Sequence, residues 1–130
     1  MKTILVDAVH AFVIKTKDGF EIFEPMRKML DKYPNRKLIL TNANDEEFKK
    51  FELDKMPYEV FTLKHDPKKV NSEYYKKMLG HFNLKLEDVV YFEHNLEAVK
   101  SAQSVGIATY YYDSDKKDLK SLEKYLNKNL

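Results

Sequence analysis

Apolar residues in this chain come in short runs, and each run is followed by a stretch with helical spacing. The runs are Ile4-Leu5-Val6, Leu38-Ile39-Leu40, Val60-Phe61-Thr62-Leu63, Val89-Val90-Tyr91-Phe92 and Ile107 to Tyr112. Most are continuous rather than alternating, the pattern of parallel strands covered on both faces. Pro25 suits a first helical turn, with Met26, Met29, Leu30 and Tyr33 on one face before Pro34 stops the helix. Asn44 and Glu47 have the spacing of a capping box. Asn71 or Ser72 opens a third helix with Tyr74, Tyr75, Met78, Leu79 and Phe82 inward, and Asn83 can close it. Asn95 caps a fourth with Ala98, Val99, Ala102 and Val105 inward, and Leu119, Leu122, Tyr125 and Leu126 mark a fifth. Five strands alternating with five helices predict a three-layer α/β sandwich around a five-stranded parallel sheet. The irregular part is Ala8 to Phe23, where Phe12-Val13-Ile14 and Phe20-Glu21-Ile22 flank Asp18-Gly19 and predict a small β-hairpin.

Composition narrows the function classes. The 130 residues fit one domain over 1–130, with 43% hydrophobic and 34% charged side chains. Without cysteine there is no disulfide, thiolate metal site or cysteine nucleophile. The glycines, Gly19, Gly80 and Gly106, are too far apart for a glycine-rich phosphate loop. A net charge of +2 gives no strong pull toward nucleic acid or a membrane surface. No apolar run approaches the ~20 residues of a membrane span, so the expected location is cytoplasmic. Paired lysines such as Lys49-Lys50 and Lys76-Lys77 read as solvated helix surface, and Tyr110-Tyr111-Tyr112 as an edge strand.

In open α/β sheets, sites form beyond the carboxyl ends of the strands. After the first run comes Asp7, after the second Thr41 and Asn42, after the third the loop Lys64 to Lys69, and after the fourth Glu93, with Glu97 four residues on. Each alone is ordinary: a turn former, a strand end, a surface lysine, a first-turn acid. Together they give carboxylate, hydroxyl, ammonium and carboxylate at the ends of successive strands, a set suited to phosphoryl transfer. A carboxylate can attack phosphorus. The ammonium and hydroxyl of Lys69 and Thr41 can hold the charged phosphoryl oxygens. Asp7 and Glu93 offer the carboxylates a Mg²⁺ ion would need.

These segments resemble the haloacid-dehalogenase-like (HAD) superfamily. Ile4-Leu5-Val6-Asp7 matches its first motif, Leu38-Ile39-Leu40-Thr41-Asn42 its second, Lys69 to Tyr75 its third, and Val89 to Asn95, running on through Ala98, Ala102 and Gly106-Ile107, its fourth. The resemblance implies a Rossmann-like sheet of order 5-4-1-2-3, counting the five runs, with the hairpin as the family's flap. It implies Asp7 as nucleophile, with Thr41 and Lys69 completing the catalytic set. It further implies Thr41, Asn42, Lys69 and His10 at the substrate, and Asp7, the Val9 carbonyl and Glu93 around Mg²⁺, with Glu97 as outer support. Lys68 is the alternative to Lys69, and spacing to the next helix favours Lys69.

Motif one departs from the family pattern. The position of the usual second Asp, which protonates the leaving group, is Val9, and the following Gly-Thr is His10-Ala11. Loss of a general acid costs 10²–10⁴-fold. Glu93 stands for the usual Asp, and His94 stands where some relatives have another acid. Two functions follow: a weak Mg²⁺-dependent phosphohydrolase working through an aspartyl-phosphate, with His10 or His94 able to replace the acid, or a catalytically impaired binding or regulatory module. Neither the hairpin nor the loop after the third run can hold a cap domain. An open site suits a phosphorylated macromolecule, or a lid lent by a second subunit in a homo-oligomer. Receiver domains use Asp, Thr and Lys in the same order, but they carry an acidic pair after strand one and the phosphorylated Asp after strand three, and both are missing here.

Overall fold

The computed structural model describes all 130 residues. β1 (Thr3–Asp7), β4 (Lys37–Thr41), β5 (Glu59–Thr62), β6 (Val89–Glu93) and β7 (Ala108–Tyr111) form one parallel sheet in the order β5-β4-β1-β6-β7. β2 (Val13–Thr16) and β3 (Gly19–Ile22) pair antiparallel as a separate hairpin. In chain numbering the order is thus 5-4-1-6-7 rather than 5-4-1-2-3. The hairpin strands take the numbers two and three yet stay outside the sheet. Its turn is Lys17-Asp18, one residue earlier than expected, and Gly19 opens β3 at φ 135°, a backbone angle open to glycine.

Five helices complete the layers: α1 (Glu24–Leu30), α2 (Asp45–Lys50), α3 (Glu73–Phe82), α4 (Leu96–Val105) and α5 (Leu119–Asn129). Alternate strand residues point to opposite faces. Leu5, Leu38, Leu40 and Tyr91 therefore pack with Tyr74, Tyr75 and Met78 of α3 and Ala102 of α4. Ile4, Val6, Ile39 and Phe92 pack with Met26 and Leu30 of α1 and Leu122 and Leu126 of α5. All of these side chains are fully buried, and each contributes roughly 1.5–3 kcal/mol if it is a Leu, Ile, Val, Phe or Met. Asn44 and Glu47 form a reciprocal capping box on α2, and the Asn95 side chain caps α4. α3 starts differently: Ser72 makes no side-chain cap, and Asn71 Oδ1 accepts from the Glu73 amide instead. Asn83 closes α3 in the left-handed conformation. No helix is long and apolar enough to cross a membrane.

Sheet order fixes the site. β1 lies centrally between β4 and β6, and Asp7, Thr41 and Glu93 are the last residues of these three adjacent strands. Neighbouring strands lie about 4.8 Å apart, so three strand ends bring three side chains within reach of one another.

Candidate functional site

The strand ends meet at a cavity of about 220 Å³. At its floor the Lys69 ammonium spends all three of its donors: on Asp7 Oδ1 at 2.8 Å, Glu93 Oε1 at 2.7 Å and the Leu40 carbonyl at 3.2 Å. Asn42 Oδ1 accepts from the Lys69 amide at 2.7 Å and so fixes the start of that side chain's path. Lys69 comes from the loop after β5, yet it is buried, while Lys68 is exposed.

The two carboxylates are heavily engaged. Glu93 is fully buried; Tyr91 and Lys69 donate to Oε1, and the Asn95 amide (2.9 Å) and His94 Nδ1 (3.2 Å) reach Oε2. Asp7 Oδ2 accepts from the His94 amide at 2.9 Å and from the His94 ring, while Oδ1 accepts from Lys69. A carboxylate has about four lone-pair sites. Three hydrogen bonds reach each of them, so Glu93 keeps one open site, on Oε2, and Asp7 keeps one, on Oδ1.

Electrostatics follow this geometry. Burial pushes the Glu93 carboxyl up, but the Lys69 charge and the hydrogen bonds outweigh it, holding the group well below the usual carboxylate range. Burial disfavours charged Lys69, but Asp7 and Glu93 more than restore it, so it stays protonated well above its ordinary value. Burial likewise opposes charge on His94, and its bonds to Asp7 and Glu93 win, raising the ring to about 10. Two carboxylates thus face two cations.

Mg²⁺ takes a near-octahedral shell of oxygens. The oxygens that could hold it here are one open lone pair on each of Asp7 and Glu93 and the Val9 carbonyl, which accepts no backbone bond. The His94 imidazole nitrogen lies beside both carboxylates.

The remaining expected residues lie around the cavity. Thr41 Oγ1 accepts from the Ala43 amide, and its own proton has no partner. The amides of Val9 and Asn42 also donate to no protein atom. His10 is exposed, at φ 73°, and its ring meets the His94 ring edge-on at 5.4 Å. Glu97 points away, exposed and paired with Lys100 at 3.6 Å.

Sequence reading missed Tyr91, which shares a strand face with Glu93 two residues on; that i, i+2 spacing was the available signal. It also missed the wall formed by His65 and Glu47, joined through His65 Nε2 and Glu47 Oε1. Lys64 and His65 both adopt positive φ, 54° and 66°, and no local sequence pattern announces such a turn without glycine.

Comparison with solved structures places the fold. A HAD-family enzyme of Bacteroides thetaiotaomicron, an Asp-to-Ala mutant in complex with magnesium and inorganic phosphate, superposes with TM-score 0.70 at 12% identity, over 88% of this chain and 95% of that one. An uncharacterized protein of Corynebacterium glutamicum gives 0.65 at 17%, over 98% and 96%. A candidate beta-phosphoglucomutase of Thermotoga maritima gives 0.63 at 13%, over 100% of both chains. No protein-family model matches the sequence, and no curated protein matches it. The fold is HAD-like.

Proposed function

We propose that the chain is a phosphohydrolase of HAD type, slow because it lacks a general acid, that takes phosphate monoesters at the cavity above β1, β4 and β6. The observation that carries this reading is the Lys69 ammonium bridging Asp7 and Glu93 beneath the cavity. It sets a positive charge against Asp7 Oδ1 and leaves one lone pair of that oxygen open. The Thr41 hydroxyl and the amides of Val9 and Asn42 are free donors for phosphoryl oxygens. Lys69 acts by charge, since its protons are already spent on Asp7, Glu93 and Leu40.

In the first step Asp7 Oδ1 attacks phosphorus, and the bond from phosphorus to the ester oxygen breaks. The electron pair leaves on that oxygen. Water then attacks phosphorus of the aspartyl-phosphate, freeing inorganic phosphate and the Asp7 carboxylate. Val9 cannot protonate the departing oxygen, so good leaving groups suffer least. The expected result is turnover of 4-nitrophenyl phosphate but far slower turnover of an alkyl phosphate, with Asp7→Asn lower on the aryl ester by about 10²-fold or more. Equal rates for parent and Asp7→Asn would refute the reading.

One observation favours a second reading, a phosphate-binding module without turnover. Asp7 is almost fully buried and three of its four lone-pair sites are occupied. Phosphate binding with no Asp7-dependent turnover would establish that reading instead.

A further inference from the structure

Beside the phosphate cavity lies a larger groove of about 490 Å³. One wall is the run Phe20 to Pro25, from β3 into α1, and the other is Phe51, Glu52, Lys55 and Met56 at the corner after α2. Phe51 lines the cavity as well, and its ring meets Phe20 edge-on at 4.7 Å. Cavity and groove therefore share one side chain.

Side chains of a strand alternate between its two faces. A groove lined by Phe20, Glu21 and Ile22 in succession thus follows the edge of β3 rather than one face of the hairpin. That edge is unpaired. The Phe23 amide donates to the Phe12 carbonyl, and hydrogen-bonded pairs alternate along an antiparallel ladder. Phe20 and Ile22 therefore turn their amides and carbonyls away from β2, and no backbone group outside the hairpin bonds them. The outer edge of β2 is covered by contrast, since Val13 bonds both Ala8 and His10.

Charge selects the occupant. Glu21, Glu24 and Glu52 line the groove against Lys55 alone, and Lys55 is paired with Glu52 at 3.0 Å. Arg27 lies 3.9 Å from Glu24 but is shared with Asp31. On a chain of net charge +2 the groove is an acidic, apolar-walled strip.

We propose that this groove docks a basic, extended segment of a phosphorylated protein substrate, paired to β3 as a third strand while the phosphoryl group enters the cavity. The proposal rests on the reading of the cavity as a phosphohydrolase site. Main-chain bonds to Phe20 and Ile22 set the register of the segment, as in other strand additions to an open sheet edge. Its lysines or arginines meet Glu21 and Glu24, and an apolar side chain between them packs on Phe51 and Met56. Because cavity and groove meet at Phe51, the segment lies close in sequence to the phosphorylated residue. A substrate without such a segment is decided by its phosphoryl end alone.

The test compares two phosphotyrosine peptides of equal length, with 4-nitrophenyl phosphate as control. One is flanked on both sides by alternating arginine and leucine, the other by glycine and serine. The arginine-leucine peptide is expected to show a KM lower by about tenfold or more at the same kcat. With Glu21→Lys and Glu24→Lys combined, that advantage should vanish while turnover of 4-nitrophenyl phosphate stays unchanged. A measurement on the parent alone guards against a variant that fails to fold. In ¹H–¹⁵N spectra the arginine-leucine peptide without its phosphate should shift the Phe20 and Ile22 amides and leave those of β7 in place. Equal KM values for the two peptides, or unmoved Phe20 and Ile22 amides, overturn the proposal while the phosphohydrolase reading stands. No turnover of any of the three esters refutes that reading, and the proposal with it.

Discussion

Lys69 shows how one residue holds both a fold and a site. Its ammonium is buried and meets two buried carboxylates from β1 and β6. A buried ion pair contributes little net stability compared with apolar packing, but removing one partner strands the other charge at a cost of roughly 3–5 kcal/mol. Lys69→Met should be destabilised by about that amount, measured by urea unfolding at neutral pH. The pH dependence gives a sharper sign. In the parent, Glu93 titrates below its unfolded value, so its contribution is complete above the unfolded pKa and is lost as pH falls toward the depressed one. Without Lys69 the largest influence opposing burial is gone, so the depression of the carboxyl shrinks. The variant should then lose less stability than the parent on acidification through that range. Parallel pH profiles for the two proteins would show that Lys69 does not govern Glu93.

At the level of elements, the strand runs were legible because a buried parallel sheet writes itself as continuous apolar sequence. The cap residues were legible too, since Asn44, Asn83 and Asn95 act through local chemistry. Asp7, Thr41 and Glu93 could be picked out because they end their strands. What could not be read was how their atoms pair, because the partners lie far apart in sequence: Lys69 is 62 residues from Asp7, and His94 is 87. The hairpin turn was misplaced by one residue because Asp18-Gly19 and Lys17-Asp18 followed by glycine satisfy the same local rule. α2 gives a test at this scale. None of its residues is fully buried and only Phe48 packs partly against the core, so the Asn44–Glu47 box carries much of its order, and Glu47 also holds His65. Asn44→Ala should cost about 1 kcal/mol of stability. Hydrogen exchange should speed up over Asp45–Phe51 while the amides of β1 keep their protection. Faster exchange across β1 as well would mean that α2 is coupled to the sheet rather than resting on it.

Across the whole molecule, the decisive fact is how little covers the site. The flap is a hairpin of two four-residue strands, and the loop between β5 and α3 spans Leu63 to Ser72. The cavity of about 220 Å³ is smaller than the roughly 300–1,000 Å³ of pockets that enclose a drug-sized ligand. It has room for a phosphoryl group and the first atoms beyond it, while the rest of a substrate must lie outside, on the rim carrying His10, His65 and Phe51. Recognition that stops at the phosphoryl group is indifferent to bulk. A phosphotyrosine peptide should therefore be hydrolysed with a kcat/KM close to that of phenyl phosphate, since both present the same leaving oxygen to Asp7. A phosphoserine peptide should be much poorer, because its alkoxide leaves unprotonated past Val9. Steady-state assays on the three esters separate the two effects. If the tyrosine peptide lags far behind phenyl phosphate, something encloses the substrate beyond the cavity, and the open site is not the form that works. If the serine peptide keeps pace, a proton reaches the leaving oxygen from elsewhere, and Val9 does not limit the reaction.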